Sequence, residues 1–498
     1  MRTEQRRRGS RLVIVKCASA VGVLILLASG ALAQAATIAV SSPMPADGDA
    51  PDIVCTLREA IKAATSRRNY NGCILTGSSS VNTILLPFGT YKLTSTLPTV
   101  GSNIQIIGSG YARTTIDGNT QGGVLGAIVL SGTGIQLSDL ALQNFRDSAV
   151  KVQAGSDTRI TAVAFRANGN SNSSGSEIDN SGRTKVLSCS FQSPPPIRPF
   201  GSLIRSSGSG AEIIITQSTI SGSHAFHGVL YNAAGSSMFL YNSTVGGNID
   251  DASGVIHNEA GAVLGIGFST IAFNFSSVAR GSAISNDPGG SVTVSESMIF
   301  GPRTFTGTPT CVGAITSGGY NVFDASSPCA PLAEGDITTS TPGLDTNGDQ
   351  PKPHGGVAPV YLPLAGSPLI AHVDASFCDT IDQRRVGRPL WPANCATGSV
   401  DIANAVLVVR NPASLSTGDG NVLAQIQTIF GADRVSVFPD VFQGPATFPG
   451  VVVISGSVSD ANIGTHFRNL GQGVVVLKQS IYDEMNMTNS SATSSEGT

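Results

Sequence analysis

Charge is what this chain has least of. Asp, Glu, Lys and Arg make up 13% of its 498 residues, against about a quarter of an ordinary globular protein. Aromatic residues are 6%, with a single Trp. So few large rings exclude a fold built around one broad aromatic core. There is no basic excess: a net charge of −3 and a pI near 6.1 exclude the electrostatic footprint of a nucleic-acid binder. No DNA or RNA partner is expected. Beyond the N-terminus no apolar run approaches the ~20 residues that span a bilayer. What is abundant is small: 58 glycines, with many Ser, Thr and Asn. Such a composition suits short strands joined by tight turns, with small side chains stacked on those of neighbouring turns.

The first residues read as an address. Arg2, Arg6, Arg7, Arg8, Arg11 and Lys16 precede an apolar, small-residue stretch from Ala18 to Leu32. Ala31-Leu32-Ala33 fits a small-x-small cleavage site, so residues 1–33 are predicted to be a signal peptide and the mature chain to begin at Gln34. The alternative is an uncleaved anchor helix, for which the apolar run is short. A twin-arginine route through Arg6-Arg7-Arg8 matches poorly in the residues that follow. Membrane involvement is expected only through export or surface attachment.

Cys17 leaves with that segment. Six of the other seven cysteines form local pairs, Cys55 with Cys73, Cys311 with Cys329 and Cys378 with Cys395, 17 or 18 residues apart. This suits loop-closing disulfides in an oxidising compartment. Metal ligation is the competing reading, but no C-x-x-C or adjacent His accompanies them.

From about residue 135 to 300 the chain repeats with a period near 26. One element is a small residue, any residue, then an apolar one: Leu140-Ala141-Leu142, Val163-Ala164-Phe165, Cys189-Ser190-Phe191, Ser218-Thr219-Ile220, Ser243-Thr244-Val245, Ser269-Thr270-Ile271 and Ser297-Met298-Ile299. Between these lies a second, ending in Asn180, Ser206, Asn232, Asn258 and Asn286, each followed within three residues by a glycine (Gly182, Gly208, Gly235, Gly261, Gly289). Period-2 alternation says strand, and a fixed period with two strand signatures says a coil stacked on itself. Identical residues then stack about 4.8 Å apart. The Asn/Ser positions should form one inward file, bonding each other and the turn carbonyls, with the glycines supplying positive φ at sharp corners. Cys189 stands where other coils carry Leu, Val or Ser, so it reads as a small core residue rather than a reactive thiol. Asn168–Gly175 and Ser193–Pro199 are read as protruding loops.

A stacked fold needs its first edge covered. In Cys55-Thr56-Leu57-Arg58-Glu59-Ala60-Ile61, Thr56 and Glu59 make a capping box, and Leu57, Ala60, Ile61 and Ala64 one apolar helical face. Strands are expected at Thr83–Leu86, Tyr91–Leu93, Ile104–Ile107 and Thr115–Asp117. That same heptapeptide is similar to the Cys-Ser-Leu-Arg-Glu-Ala motif of secreted bacterial β-helix proteins. Leu364-Ala365-Gly366-Ser367-Pro368-Leu369-Ile370, Cys378, Asp382-Gln383-Arg384, Arg388-Pro389 and Cys395 resemble the choice-of-anchor region of that group. The resemblance covers roughly residues 50–402. It implies a right-handed parallel β-helix of the pectin-lyase-like superfamily and an exported, surface-associated protein, and no activity. One departure stands out: the group's closing Asp-Ile-Gly-Ala-Phe-Glu is here Asp401-Ile402-Ala403, running into further chain.

That further chain alternates strand and helix: Ala405–Arg410, Val422–Phe430 (helix), Arg434–Phe438, Val451–Ser455, Ile463–Leu470 (helix) and Val474–Leu477. A small Rossmann- or flavodoxin-like parallel sheet is expected. It resembles, loosely, half of a class I amidotransferase-like domain, without that class's cysteine nucleophile. The expected plan is therefore all-β: signal peptide 1–33, N-terminal cap 34–80, β-helix 81–330, choice-of-anchor-like region 331–402, α/β domain 403–488 and disordered tail 489–498.

Chemistry is harder to find. The residues flanking the inward file give an outward column of Lys151, Asp179, Arg205, Tyr231, His257 and Ser285. Asp179, Arg205, Tyr231 and His257 form its candidate ligand face, a polar stripe suited to a sugar chain, with Asp250, Asp251 and Glu259 near one end. The opposing reading is a solvated face of mixed charge. The clustered Asp pairs and Gly-His-Gly of pectin hydrolases are absent. Asp345-Thr346-Asn347-Gly348-Asp349 begins like a calcium loop but carries Gln350 at the sixth position and Gly356 at the twelfth, so a turn is expected. His224 and His227 are read as lone surface histidines. The strand end at Val451–Ser457 gives only a weak crevice signal. No metal and no cofactor are expected. The leading reading is an exported, non-catalytic surface protein for adhesion or glycan contact, its partner a polysaccharide or cell-surface glycan. The alternative is a polysaccharide lyase or glycoside hydrolase on the same face. N-terminal sequencing of exported protein is expected to begin at Gln34; a secreted chain that keeps Arg2–Arg11 would exclude the cleaved signal.

Overall fold

The computed structural model describes residues 36–41, 47–119, 126–169, 177–192, 201–302, 308–354, 358–364, 366–388, 394–401, 404–430, 435–441, 450–465, 467–468 and 473–482. The segments read as signal peptide and tail lie outside the described residues.

From Ala36 to Thr339 the chain winds into a parallel β-solenoid. One eight-stranded sheet carries Val150–Val152, Ile178–Asn180, Ile204–Ser206, Leu230–Asn232, Ile256–Asn258 and Ile284–Asn286, each pairing in register with the next. The expected inward file is there. Asn180, Ser206, Asn232, Asn258 and Asn286 lie one above another and are buried. Asn232 Nδ2 donates to Asn258 Oδ1 at 2.7 Å, and Asn258 Nδ2 to Asn286 Oδ1 at 2.9 Å. Ser206 is too short to continue the chain of amides. Ser236 bridges there, its hydroxyl lying 2.8 Å from Asn232 Oδ1 and 3.1 Å from the Ser206 carbonyl.

The second sheet holds two strands per coil, separated by a one-residue corner. Asp139, Ala162, Ser188, Gln217, Asn242, Phe268, Glu296 and Tyr320 all take φ between 45° and 57° there. Glycine was expected at the corners. It does supply positive φ after the Asn file, at Gly208, Gly235, Gly261 and Gly289, but Gly182 has none and this other corner uses no glycine. The left-handed conformation costs a side-chain-bearing residue about 1 kcal/mol. A serine file offsets it: the N–H groups of Cys189, Ser218, Ser243 and Ser269 donate to the hydroxyl of the next coil's serine at 3.0–3.2 Å. Cys189 fills one rung of this file, its thiol 3.4 Å from the Leu187 carbonyl as Ser218 is bonded to Thr216.

A further amide file lies at the third corner. Asn248 N–H and Nδ2 both meet Asn274 Oδ1 at 3.0 Å, and Ser223 N–H meets Asn248 Oδ1 at 3.1 Å. Asn168 plays the same part under Phe145 and is fully buried, so it is no loop residue. Residues 170–175 of that expected loop and all of the other (193–199) lie outside the described residues.

The helix Leu57–Ser66 starts at a complete Thr56/Glu59 capping box, as its sequence requires. Leu57, Ala60, Ile61 and Ala64 join the solenoid core. Cys55–Cys73 ties its start to the following loop. At the opposite end Cys311–Cys329 holds Cys329 and Ala330 against the same core.

Residues 342–401 then fold back along the solenoid's side. Thr219, Thr244 and Thr270 point outward yet are buried beneath them. Thr219 donates to the Pro359 carbonyl and Thr244 to Gln383 Oε1, each at 2.6 Å, while Gln383 Nε2 returns a bond to Thr219. Arg388, wholly buried, donates to Asn242 Oδ1 and the Ala396 and Gly398 carbonyls and lies 4.7 Å above the Phe268 ring. Asp382 grips Arg384, and Cys378–Cys395 closes this clasp. Of the expected turn, Asp345 ends the short strand Leu344–Asp345 and Asn347–Gln350 makes the turn, with Asn347 bridging Gln350.

Residues 404–482 form a four-stranded parallel sheet in the order 435–439, 404–409, 450–454, 473–476, with the helix Thr417–Phe430 against the first two. The second helix there is shorter than expected, Asp460–Ile463.

Asn258→Ala removes the acceptor of one Asn232 amide hydrogen, the Val263 carbonyl keeping the other, and leaves the Asn286 acyl oxygen without its donor in the dry interior. A loss of about 3 kcal/mol is expected from two unsatisfied buried groups, seen as a lowered denaturant midpoint; an unchanged midpoint would contradict the file's role.

Candidate functional site

The column predicted to face outward does so in register: Lys151, Asp179, Arg205, Tyr231, His257 and Ser285 occupy matching positions of successive strands. Their exposure is graded. Lys151 and Arg205 are exposed, Asp179 and Tyr231 partly so, and His257 and Ser285 are buried. The usable stripe therefore runs from Lys151 to Tyr231.

Along it, each group is held by a neighbour one rung away. Lys151 Nζ lies 3.9 Å from Asp179. The Arg205 guanidinium sits over the Tyr231 ring at 5.6 Å, and that ring meets His257 edge-on at 5.2 Å. The Tyr231 hydroxyl donates to Glu259, whose other oxygen takes the Ala234 N–H at 2.8 Å. His257 Nε2 contacts Asp287 at 3.0 Å, and Arg280 reaches the second Asp287 oxygen at 3.1 Å. Burial, with the Glu259 carboxylate next to it, pushes the Tyr231 phenol up to about 12. It is a hydrogen-bond donor at neutral pH, not a base.

Of the acids expected nearby, only Glu259 joins this stripe. Asp250 is buried, its carboxylate taking backbone N–H bonds from Gly228, Ala252, Ser253 and Gly254 at 2.6–3.1 Å. Burial raises its carboxyl above the ordinary range while these donors oppose the rise. Asp251 pairs with His224 at 2.8 Å. His224 is thus a buried partner and not a lone surface histidine; His227 is exposed. Sequence reasoning missed Asp287 and Arg280. Their signal was positional: Asp287 directly follows the file residue Asn286, as Glu259 follows Asn258.

In the C-terminal sheet the strand-end crevice is filled by its own side chains. Burial alone would raise the Asp419 carboxyl, but hydroxyls of Ser455, Ser416 and Ser457 outweigh it and hold it low. Asp440 takes the Ser459 N–H and the Asn462 amide. Among the described residues, no group of three His, Cys, Asp or Glu is placed to hold a metal ion, and no helix is long and apolar enough to cross a membrane.

No family model, no curated protein and no solved structure matches the chain.

Cys189 is buried and unpaired, and burial pushes its thiol up to about 12. A chain starting at Gln34 is expected to take up no alkylating reagent when native and one equivalent when unfolded without reductant. Rapid native labelling would overturn its placement in the core.

Proposed function

We propose that this is an exported, non-catalytic β-helix surface protein whose Lys151–Tyr231 stripe contacts a polysaccharide or cell-surface glycan. In this reading the fold is a right-handed, pectin-lyase-like β-helix with the Leu57–Ser66 helix as its cap. Residues 331–402 serve as an anchor-like clasp, and 403–488 as an accessory Rossmann- or flavodoxin-like domain. The three disulfides, which need an oxidising compartment to persist, support export.

One observation carries the choice of binding over turnover: the acids beside the stripe are already engaged, and Asp179 on it stands without a second free carboxylate, 3.9 Å from Lys151 Nζ. Asp287 is held by His257 and Arg280, and Glu259 by Tyr231 and the Ala234 N–H. A glycoside hydrolase needs one carboxyl free to protonate and another free to attack or activate water. A lyase needs a base, and a phenol at about 12 is a poor one. What remains is suited to holding: a guanidinium and an aromatic ring on successive rungs, with hydrogen-bonding groups at the sugar-sized spacing of about 4.8 Å.

Purified protein is to be screened against a panel of neutral and acidic polysaccharides, following both retention and cleavage. Retention without new reducing ends or unsaturated uronate is expected. Tyr231→Ala should weaken retention about tenfold, the factor that ~1.4 kcal/mol of lost contact gives. Polymer shortening abolished by Glu259→Gln would overturn the reading in favour of a carbohydrate-active enzyme.

A further inference from the structure

Asparagine followed by glycine is the dipeptide at which a chain most readily attacks its own side chain, because glycine leaves the next peptide nitrogen free to swing onto the carboxamide. The chain has three such pairs, Asn71-Gly72, Asn168-Gly169 and Asn347-Gly348. The fold treats them differently.

Two are locked. Asn168 is wholly buried, its carboxamide oxygen taking the Phe145 N–H and its nitrogen donating to the Leu142 carbonyl, each at 3.0 Å. The nitrogen that would attack, that of Gly169, is itself bonded to the Phe145 carbonyl at 2.8 Å. Asn71 is tethered through Nδ2 to the buried Glu59 carboxylate at 2.8 Å. Gly72 is pressed onto the Ile53 and Val54 backbone, where a β-carbon would come within 2.5 Å. Neither pair has room to rearrange.

Asn347-Gly348 has none of these restraints. Both residues are exposed. Among the described residues the Asn347 carboxamide has no hydrogen-bond partner, the Gly348 N–H has no acceptor, and the space around Gly348 is open. Gly348 takes φ 60° at the first central position of a two-residue turn. Asn347 N–H to the Gln350 carbonyl at 2.9 Å and the reverse bond at 3.1 Å close that turn. It is a foothold of the lateral clasp. The Gln350 amide donates to the Gly247 carbonyl at 2.7 Å, and the Asp349 carbonyl takes the Tyr361 hydroxyl at 2.5 Å. Gln350 lies directly on the glycines of two successive coils: a β-carbon would come within 2.2 Å of it on Gly247 and 3.2 Å on Gly222.

We infer that Asn347 is a site of covalent modification, deamidated by its own backbone, and that the change loosens this foothold. The Gly348 peptide nitrogen gives its proton to solvent base and bonds to the Asn347 side-chain carbonyl carbon. The bond from that carbon to the amide nitrogen breaks, and the nitrogen leaves as ammonia after taking a proton from water. Water then opens the cyclic imide at either carbonyl, leaving aspartate or isoaspartate at position 347. Water is the sole co-reactant, and nothing is oxidised or reduced. Isoaspartate runs the main chain through the side-chain methylene, so the turn lengthens between its two closing bonds and shifts Gln350 from its seat. Both products also set a carboxylate between Asp345 and Asp349, whose like charges oppose it, with Lys352 already held by Asp345. The inference does not rest on any ligand of the stripe.

A chain starting at Gln34 is to be held warm at mildly alkaline pH, native in one sample, reduced and unfolded in another. Peptide mass spectrometry with enzymatic isoaspartate detection follows each pair. Native protein is expected to convert Asn347 about tenfold faster than Asn71 or Asn168, the factor that ~1.4 kcal/mol in the barrier gives. The unfolded chain should convert all three at similar rates. Amide exchange in the peptides that carry Gln350 and Tyr361 should quicken as isoaspartate accumulates, and Asn347→Ser should keep it constant over the same time. Native conversion of Asn71 or Asn168 as fast as that of Asn347 would overturn the site. So would an Asn347 that survives in native protein while the unfolded chain reacts. Unchanged exchange in fully converted protein would overturn the effect on the clasp.

Discussion

The coils from Cys189 to Ser297 share one device: a polar side chain turned inward and bonded to the equivalent residue one rung away. A buried amide left unsatisfied costs about 1–3 kcal/mol, so a lone Asn in this interior would be a liability. In a file it becomes a constraint. Asn232, Asn258 and Asn286 satisfy one another only at one register, and a slip by one residue would turn every one of them outward and bring their apolar neighbours into water. The serine file does the same at the one-residue corner, where it offsets the strain of a left-handed side-chain-bearing residue. Register is thus fixed by polar groups, while burial of Ile, Val and Leu supplies most of the stability.

The pieces that do not repeat are secured by other means. Each disulfide sits at one of them: the helix start, the loop over the last coils, and the lateral clasp. Within the clasp Arg388 and Gln383 reach into the solenoid's side and meet Asn242, Thr219 and Thr244. Their role in the structure is to bind this segment to its own solenoid.

Much of this was legible in the sequence, for a physical reason. A stacked coil writes its period into the chain, so the Asn180–Asn286 file, the outward column and the helix face could be read from spacing alone. The Thr56/Glu59 box is a local signal and was equally plain. The third-corner file was not read, although Asn248 and Asn274 keep the same spacing, because Ser223 breaks the pattern after two members. The lateral clasp could not be read at all. It depends on contacts between residues some 140 apart, such as Thr219 with Pro359, and Thr219 looks like any exposed strand residue. Exposure along the stripe was likewise misjudged at its far end, where His257 and Ser285 are covered. Alternation tells which side of a sheet a residue faces, not what lies over that side.

The lateral clasp also settles how the molecule would bear load. A parallel solenoid pulled from its last turn would ordinarily unzip one rung at a time, breaking a few bonds per step. Here the chain leaving Asp401 is already fastened well back along the solenoid, at Gln217, Asn242, Thr270 and Glu296. Tension arriving through that exit is therefore shared across several turns in shear, with the terminal rungs shielded from it.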